Sequence, residues 1–171
     1  MNLLAEFPLA EVVHSAARGD RSALGKIYDR FAPVVHGVLL SRVPPADAED
    51  LVQDVFVIVM NRLPGLRDPA AFPAWILSIS RNVAAEHHRR SRSWRWTALP
   101  DREPSINPET LMLLNTLQSL PEAYRETLVL RLVEGLTGME ISERTGLTPE
   151  SVRVNLHRGM KLLREKLGIE K

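Results

Sequence analysis

Two clusters of basic side chains in this sequence are suited to binding phosphate groups. Residues 81–95 and residues 151–167 each contain five Lys or Arg side chains against a single Glu. The whole chain has a net charge of only +1, which conceals both clusters. Because exposed charges are screened beyond roughly 8 Å at physiological salt, local clusters govern attraction to a phosphate backbone. We therefore expect two nucleic-acid-binding surfaces.

The second cluster belongs to a stretch typical of a helix-turn-helix, ISERTGLTPESVRVNLHRGMKLLREKL (residues 141–167). Ser142 is small where the two helices must pass closely, and Gly146 predicts a helix end with positive φ. Thr148 and Pro149 predict a capping hydroxyl and a first helical position. In the second helix, one face collects apolar residues: Val152, Leu156, Gly159 or Met160, Leu163 and Leu167. A helix that is apolar on one side and basic on the other suits the DNA major groove.

The opposite face of that helix supplies candidate DNA contacts. Its members are Glu150, Val154, His157, Arg158 and Lys161, with Ser151, Arg153, Asn155 and Arg164 on the flanks. Arg158 and Lys161 are the better candidates for bases or phosphates, and Asn155 has an amide that can pair with adenine. The alternative is a surface helix whose charges are only solvated, since amphipathic helices are common. The coincidence of small residue, glycine, cap and basic face favours DNA binding.

The elements that position these residues are predicted to be helices, because no sustained period-two alternation and no internal repeat occurs. Apart from the helix-turn-helix, we expect helices over about residues 10–17, 21–43, 48–63, 69–88, 109–119 and 121–134. Pro33 should kink or break the second helix. Asp47 should cap the third, and Asp68 followed by Pro69 should open the fourth.

A change of composition predicts a domain boundary. Residues 91–108, SRSWRWTALPDREPSINP, carry three prolines and no helical apolar period. We expect a flexible linker there, between a helical domain over residues 1–90 and a helix-turn-helix domain over residues 109–171. The fold class is therefore all-α with two small helical domains. Trp94 and Trp96 in the linker can pack on a partner or on the protein itself, and the sequence does not decide between these.

Several classes of protein are disfavoured by what the sequence lacks. It has no cysteine, no run of about 18 apolar residues and no signal peptide, so we expect a cytoplasmic protein. It has no phosphate-binding glycine loop, HExxH or nucleophile elbow, which argues against an enzyme. His87 and His88 are adjacent on a helix and point about 100° apart, so they cannot simply share a metal ion. We expect no metal and no cofactor.

Three segments together resemble the extracytoplasmic-function (ECF) class of bacterial sigma factors in the sigma-70 family. They are DLVQDVFVIVM, then FPAWILSISRNVAAEHHRRSR, then LPEAYRETLVLRLVEGLTGMEISERTGLTPESVRVNLHRGMKLLRE. The likeness runs from about Asp20 to Leu167. It implies sigma region 2 in the first domain, which docks on core RNA polymerase and opens the −10 element, and sigma region 4 in the second, which binds the −35 element. The partners implied are the β′ clamp and β subunits, promoter DNA and, for many members, an anti-sigma factor.

The resemblance assigns a polymerase-docking role to the third helix. The implied contacts are Asp50, Gln53, Asp54, Val57 and Ile58, with Phe56 in the core. Independently, Val57, Ile58 and Met60 leave this helix apolar nearly all round, which favours deep burial or a second partner on its outer side. The acids alone would also fit a solvated helix start.

The resemblance assigns −10 recognition to the first basic cluster and the loop before it. The implied residues are Arg67, Phe72, Arg81, Asn82, His88, Arg89 and Arg90. Asn82 would face a base flipped out of the duplex, and the arginines would hold phosphates. Trp75 can stack on a base, although a Trp in an apolar run is more often core.

The sequence departs from the family pattern at Glu86, where aspartate is common, at Asn155, where arginine is frequent, and at Gly159, where alanine is frequent. These changes bear on promoter preference. The competing function is a helix-turn-helix transcriptional regulator with a helical sensing or dimerising first half. Such regulators usually bind as dimers, and the DLVQDVF helix and the first basic cluster argue against that class.

Overall fold

The computed structural model describes residues 8–94 and 107–169, apart from the side chains of residues 92–94. This part of the chain forms α-helices and two 3-10 turns and contains no strand. The helices are α1 Leu9–Ala17, α2 Arg21–Leu40, α3 Pro45–Arg62, α4 Phe72–Trp94, α5 Pro108–Gln118, α6 Glu122–Leu132, α7 Gly138–Thr145 and α8 Pro149–Leu167. The 3-10 turns are Leu63–Gly65 and Pro69–Ala71. The predicted all-α class is confirmed.

Helix α2 runs unbroken through Pro33, so of the two predicted outcomes the break is wrong and the kink stays a prediction. A proline inside a helix costs about 3 kcal/mol because it removes one backbone hydrogen bond and crowds the preceding turn. The residues around it, Phe31, Val34 and Val35, are all fully buried. Each such burial contributes about 1.5–3 kcal/mol, and together they outweigh the cost of the proline.

Helix α3 begins earlier than predicted, because Pro45 occupies the first turn and its fixed φ suits a helix start. Pro44 is the cap residue, so Asp47 lies inside the first turn and the predicted cap is corrected. The Asp47 carboxylate lies 3.1 Å from Nε2 of His87 on α4 instead. The acid therefore joins two helices of the first half.

Helix α4 is longer than predicted at its carboxyl end. The Asp68 side chain accepts a hydrogen bond from the amide of Ala70, as expected of a cap, but a 3-10 turn precedes α4 itself. The helix then continues to Trp94, so residues 91–94 of the predicted linker are its last turn. The remainder of the predicted linker up to residue 106, Trp96 included, lies outside the described residues. A basic last turn suits the negative end of the helix dipole.

The helix-turn-helix forms as its sequence predicts. Gly146 has φ of 75°, and the Thr148 hydroxyl accepts a hydrogen bond from the amide of Ser151. The hydroxyl of Ser142 donates to the carbonyl of Leu147 at 2.7 Å, which fixes the turn between α7 and α8. The inner face of α8 is buried or partly buried as predicted (Val152, Leu156, Gly159, Met160, Leu163, Leu167).

The two halves of the chain pack against each other along α2 and α6. One apolar cluster contains residues of both halves: Val34, Val38 and Leu77 from the first, and Leu130, Leu136, Ile141 and Val152 from the second. Backbone groups take part as well, because the Gln118 amide donates to the carbonyls of Leu40 and Val43 at 2.9 and 3.0 Å. The carboxyl end of α2 is therefore capped by a side chain of α5.

Gly159 lets α8 approach α6 closely, which explains the glycine where alanine is frequent in the family. A Cβ at this position would lie 2.9 Å from Leu128 Cδ1 and 3.1 Å from Tyr124 Cβ. Leu128 is fully buried, and a Cβ is fixed to the backbone, so neither atom can move aside freely. The loss of helix propensity at glycine is thus offset by close packing.

We predict that Gly159→Ala destabilises the protein. Alanine gains up to about 1 kcal/mol in helix propensity, but overpacking costs about 1–3 kcal/mol, so a net loss of about 1 kcal/mol is expected in urea unfolding. Gly25→Ala is the control, because a Cβ at that helical position meets nothing within 4 Å. It should be stabilising by roughly 0.5–1 kcal/mol. Equal stabilisation by both variants would contradict the packing explanation.

Candidate protein and nucleic-acid interfaces

The outer face of α3 presents most of its predicted contacts together. Asp50, Gln53, Asp54 and Val57 are exposed, and their spacing of three, four and seven residues puts them in one row along the helix. Ile58 is only partly exposed and packs against the core, so it lies at the border of this surface.

Apolar side chains lie within this row and beside it. Val57, Met60 and Tyr28 are 51%, 50% and 45% exposed, a high fraction for such residues. Beneath them Phe56 is buried as predicted, with its ring centroid 4.6 Å from that of Tyr28. A surface of exposed apolar groups beside carboxylates and an amide suits a partner helix with basic and apolar side chains.

The basic end of α4 is open to solvent. The side chains of Arg89 and Arg90 are 75% and 80% exposed, and both donate to the carboxylate of Glu86 on the same helix. The hydrogen bond and charge of Arg89 hold the pKa of Glu86 below its usual value. Exposed ion pairs of this kind contribute little to stability, so the arginines can exchange Glu86 for a phosphate at little cost.

The other predicted −10 contacts separate into exposed and buried residues. Asn82 and Arg67 are exposed, as a contact to DNA requires. Phe72 is fully buried and packs edge-on against Phe31 at 5.0 Å, so its predicted DNA contact is corrected to a packing role. The ring of Trp75 lies 5.8 Å from that of Phe72 and is partly buried against the core, the commoner of its two predicted environments.

The histidine pair on α4 diverges. His87 faces Asp47, whereas Nε2 of His88 lies 2.5 Å from the backbone carbonyl of Arg42. Across the described residues, no three His, Asp or Glu side chains are grouped so as to hold a metal ion. His88 therefore ties α4 to the end of α2, and its exposed part lies beside the arginines.

The outer face of α8 carries its predicted contacts at the surface. Glu150, Arg153, Val154, His157, Arg158 and Lys161 are exposed. Ser151 and Asn155 are half-buried, and the hydroxyl of Ser151 accepts a hydrogen bond from that of Thr148, so Ser151 also belongs to the helix cap. The exposed cations of this face lie along one side of a capped, rigid helix, an arrangement that fits a DNA groove.

An ion-pair network between the halves was not predicted from the sequence. Nε and Nη2 of Arg81 on α4 donate to the two carboxylate oxygens of Glu126 on α6, at 3.0 and 2.8 Å. Nη2 of Arg42 donates to the same carboxylate and, at 2.5 Å, to that of Glu122. Glu126 is 9% exposed, so these contacts replace most of its hydration.

The charge of Glu126 is maintained by the two arginines. Burial alone would raise the pKa of this carboxyl, but the hydrogen bonds from Arg81 and Arg42 outweigh it and hold the pKa below its usual value. In turn, the hydrogen bond to Glu126 raises the pKa of Arg81 against the opposing effect of burial. No local sequence pattern indicates this site, because only the structure shows that Glu126 lies in the buried stretch of residues 126–130.

Arg81 and Asn155 line the same cavity of about 480 Å³ between α4, α6 and α8. The first was predicted to contact the −10 element and the second the −35 element. One member of each predicted DNA surface therefore faces the contact between the halves. Apart from the buried Phe72 and the half-buried Ser151, the remaining predicted contacts on both helices are exposed.

Comparisons with known proteins agree with this architecture. The profile of Sigma-70 region 2 matches residues 27–95, and that of Sigma-70, region 4 matches residues 110–163. The chain is 34% identical over 178 residues to the ECF RNA polymerase sigma factor ShbA of Streptomyces griseus, covering 91% of this chain and 93% of that protein.

Two solved structures share the fold. CnrH in complex with the cytosolic domain of CnrY superimposes with a TM-score of 0.62 and 25% identity, over 95% of this chain and 99% of that one. The sigma factor RpoE in complex with the anti-sigma factor NepR from Bartonella quintana has a TM-score of 0.54 and 17% identity, over 86% and 98%. The second likeness concerns the fold alone.

The chain belongs to the sigma-70 family of RNA polymerase sigma factors, with region 2 in its first half and region 4 in its second. Within that family it is a member of the ECF class. It directs promoter-specific transcription initiation, and its partners are core RNA polymerase and promoter DNA. None of its described helices has the length and apolar character needed to cross a membrane.

We predict that Glu126 makes stability pH-dependent. Its pKa is depressed in the folded protein, so its charge stabilises the folded state above the unfolded value of about 4.5 and ceases to do so as pH falls through the folded value. Wild type should thus be more stable than Glu126→Gln at neutral pH, and the difference should shrink below pH 4.5 in urea unfolding. Glu165→Gln, which changes an exposed glutamate of α8, is the control. A difference that stays constant into acid would contradict the role of the charge.

Proposed function

We propose that this sigma factor docks on core RNA polymerase through the exposed row of α3 and holds the promoter with α4 and α8. The observation that carries the docking proposal is the line of Asp50, Gln53, Asp54 and Val57, exposed beside apolar side chains. The β′ clamp, through a coiled coil, is the proposed partner of this row. Ile58 lies at its border and contributes mainly to the helix core.

Opening of the −10 element is assigned to α4. Asn82 is exposed and has an amide that donates and accepts hydrogen bonds, which suits the edge of an unstacked base. Arg89 and Arg90, about two turns further along the helix, would hold phosphates of the same strand. Arg67, in the loop before α4, and His88 on α4 are the further proposed contacts of this element. Unstacking a base costs a few kcal/mol, so the site must recover a comparable free energy from these contacts.

Binding of the −35 element is assigned to the outer face of α8. Arg158 and Lys161 are exposed on it and would contact bases or phosphates in the major groove. Asn155 sits at the border with α6, so its proposed contact with a base needs the adjoining cavity to open. Because both DNA-binding surfaces belong to one chain, no dimer is needed to supply a second DNA contact.

We further propose that the protein acts in the cytoplasm without catalysis of its own, as a specificity subunit of the polymerase. Control by an anti-sigma factor is also proposed, because the related fold of RpoE is found in complex with one. The second candidate function, a helix-turn-helix regulator, is disfavoured by the exposed α3 row, which such a regulator would not require.

Asp54→Ala should weaken binding to core polymerase by about 10-fold or more, because a charged contact at an interface centre is worth more than about 1 kcal/mol. Affinity for fluorescently labelled core enzyme measures the effect. Glu11→Ala, which removes an exposed carboxylate from α1, should leave that affinity unchanged. Unchanged binding in both variants would remove the docking role of the α3 row.

Asn82→Ala should impair promoter melting more than binding to the closed duplex, because the lost hydrogen bonds form only after the base has left the stack. Permanganate reactivity of unpaired thymines measures melting, and gel mobility at low temperature measures closed-complex binding. Asn115→Ala changes another exposed asparagine, on α5, and should affect neither step. Equal losses at both steps for Asn82→Ala would contradict a pocket for the base.

A further inference from the structure

Arg42 and Arg81 converge on one carboxylate in a manner that suits a phosphate equally well. Arg81 binds Glu126 with two parallel N–H groups, the fork geometry that arginine also uses for phosphate. Arg42 donates from a side chain only 14% exposed, and its buried Nε has no hydrogen-bond partner among the described residues. The two arginines therefore form a preformed anion-binding site, in which Nε of Arg42 is a further available donor.

The site lies beside the residue proposed to receive the flipped base. Arg81 immediately precedes Asn82, and the backbone carbonyl of Arg42 contacts His88 on the same helix. A DNA strand that follows α4 from Asn82 towards Arg89 would pass this pair. A phosphodiester carries one negative charge, as the Glu126 carboxylate does, so exchanging one for the other would conserve the charge between the arginines.

The halves meet at a contact that a single methyl group would disturb. A Cβ on Gly37 of α2 would lie 2.6 Å from Leu130 Cδ2 and 3.1 Å from Glu134 Cγ, both on the opposing half. Leu130 is 1% exposed, so its side chain has little room to turn away. Nδ1 of His36 lies 2.6 Å from a carboxylate oxygen of Glu134 and completes the polar border of the contact. Gly37 thus permits the approach that brings Glu126 to the arginines.

We propose that Arg42 and Arg81 form a phosphate-binding site for the −10 strand, and that Glu126 occupies it in the closed protein as an internal competitor. DNA and carboxylate exclude each other, so region 4 must leave region 2 before Arg81 can contact the strand. The closed contact is then self-inhibitory: only the open fraction binds, and the apparent dissociation constant rises as that fraction falls. The phosphate role rests on the proposed function of α4, whereas the closed contact does not.

The closed contact is tested in the full chain without polymerase or DNA. The chain has no cysteine, so Arg62→Cys and Glu165→Cys, at exposed positions of the two halves, accept a fluorophore pair for distance measurement. Gly37→Ala should shift the equilibrium towards the open form by about 5- to 150-fold, the range expected of core overpacking. Glu126→Gln should shift it in the same direction without adding any volume. Gly25→Ala, on the same helix but facing open space, should resemble wild type.

The phosphate site is tested with a short mixed-sequence single-stranded DNA and the same variants. Gly37→Ala and Glu126→Gln should bind it more tightly than Gly25→Ala, by up to the measured gain in the open fraction. Adding Arg42→Gln to Gly37→Ala should abolish most of the gain. It should also reduce the slope of log affinity against log salt by about 0.7, the value for one phosphate contact on a single strand.

Each part of the proposal has its own contradicting result. Inter-label distances in Gly37→Ala and Glu126→Gln that both match Gly25→Ala would overturn the closed contact. Opening without any gain in single-strand affinity would overturn the competition by Glu126. A salt slope unaffected by Arg42→Gln would overturn the phosphate role of Arg42. Failure to bind core polymerase, by contrast, would count against the proposed docking function and leave the distance measurements unaffected. Circular dichroism of each variant verifies that its helices are retained.

Discussion

Burial of the Glu126 carboxylate between two arginines of the other half is the constraint around which the closed molecule is arranged. Taking a carboxylate out of water costs several kcal/mol unless charged donors replace the lost hydration. Arg81 and Arg42 do so with three hydrogen bonds to this one group. The donors belong to α4 and to the end of α2, so the requirement fixes where α6 must sit. Helices α7 and α8 then follow, because both pack on α6.

Helix α6 consequently packs against two helices, α2 of the first half and α8 of its own half. Glycines on its two partners, Gly37 on α2 and Gly159 on α8, allow both to approach closely. The contact with α8 is internal to region 4 and maintains the helix-turn-helix. The contact with α2 joins the halves, and it brings Arg81 and Asn155 to one cavity. In the proposed open form, region 4 would separate from region 2 as a unit, because the contact that supports α8 lies within region 4.

Local features of the fold were predictable, and long-range ones were not. Helix periodicity, the Gly146 turn and the Thr148 cap depend on neighbouring residues, so they are visible in the sequence. Of the two outcomes predicted at Pro33, the break does not occur, because the burial of Phe31, Val34 and Val35 is a tertiary effect that the sequence does not display. The pairing of Glu126 with Arg81 and Arg42 spans 45 and 84 residues and leaves no local pattern. For the interfaces, the resemblance to ECF sigma factors indicated the α3 contacts and helical spacing indicated the α8 face. Only the packed core shows that Phe72 is buried.

The apolar face that α6 turns towards α2 has a further consequence for the lifetime of the protein. Separation of the halves would uncover Leu130, which lies against Gly37 of α2 and is 1% exposed in the closed form. An open molecule that finds no partner would therefore present an apolar surface to other chains and a more accessible backbone to proteases. Its persistence would depend on how quickly polymerase captures it. The supply of active factor would then be matched to free polymerase by degradation and aggregation of the excess, without any separate sensor.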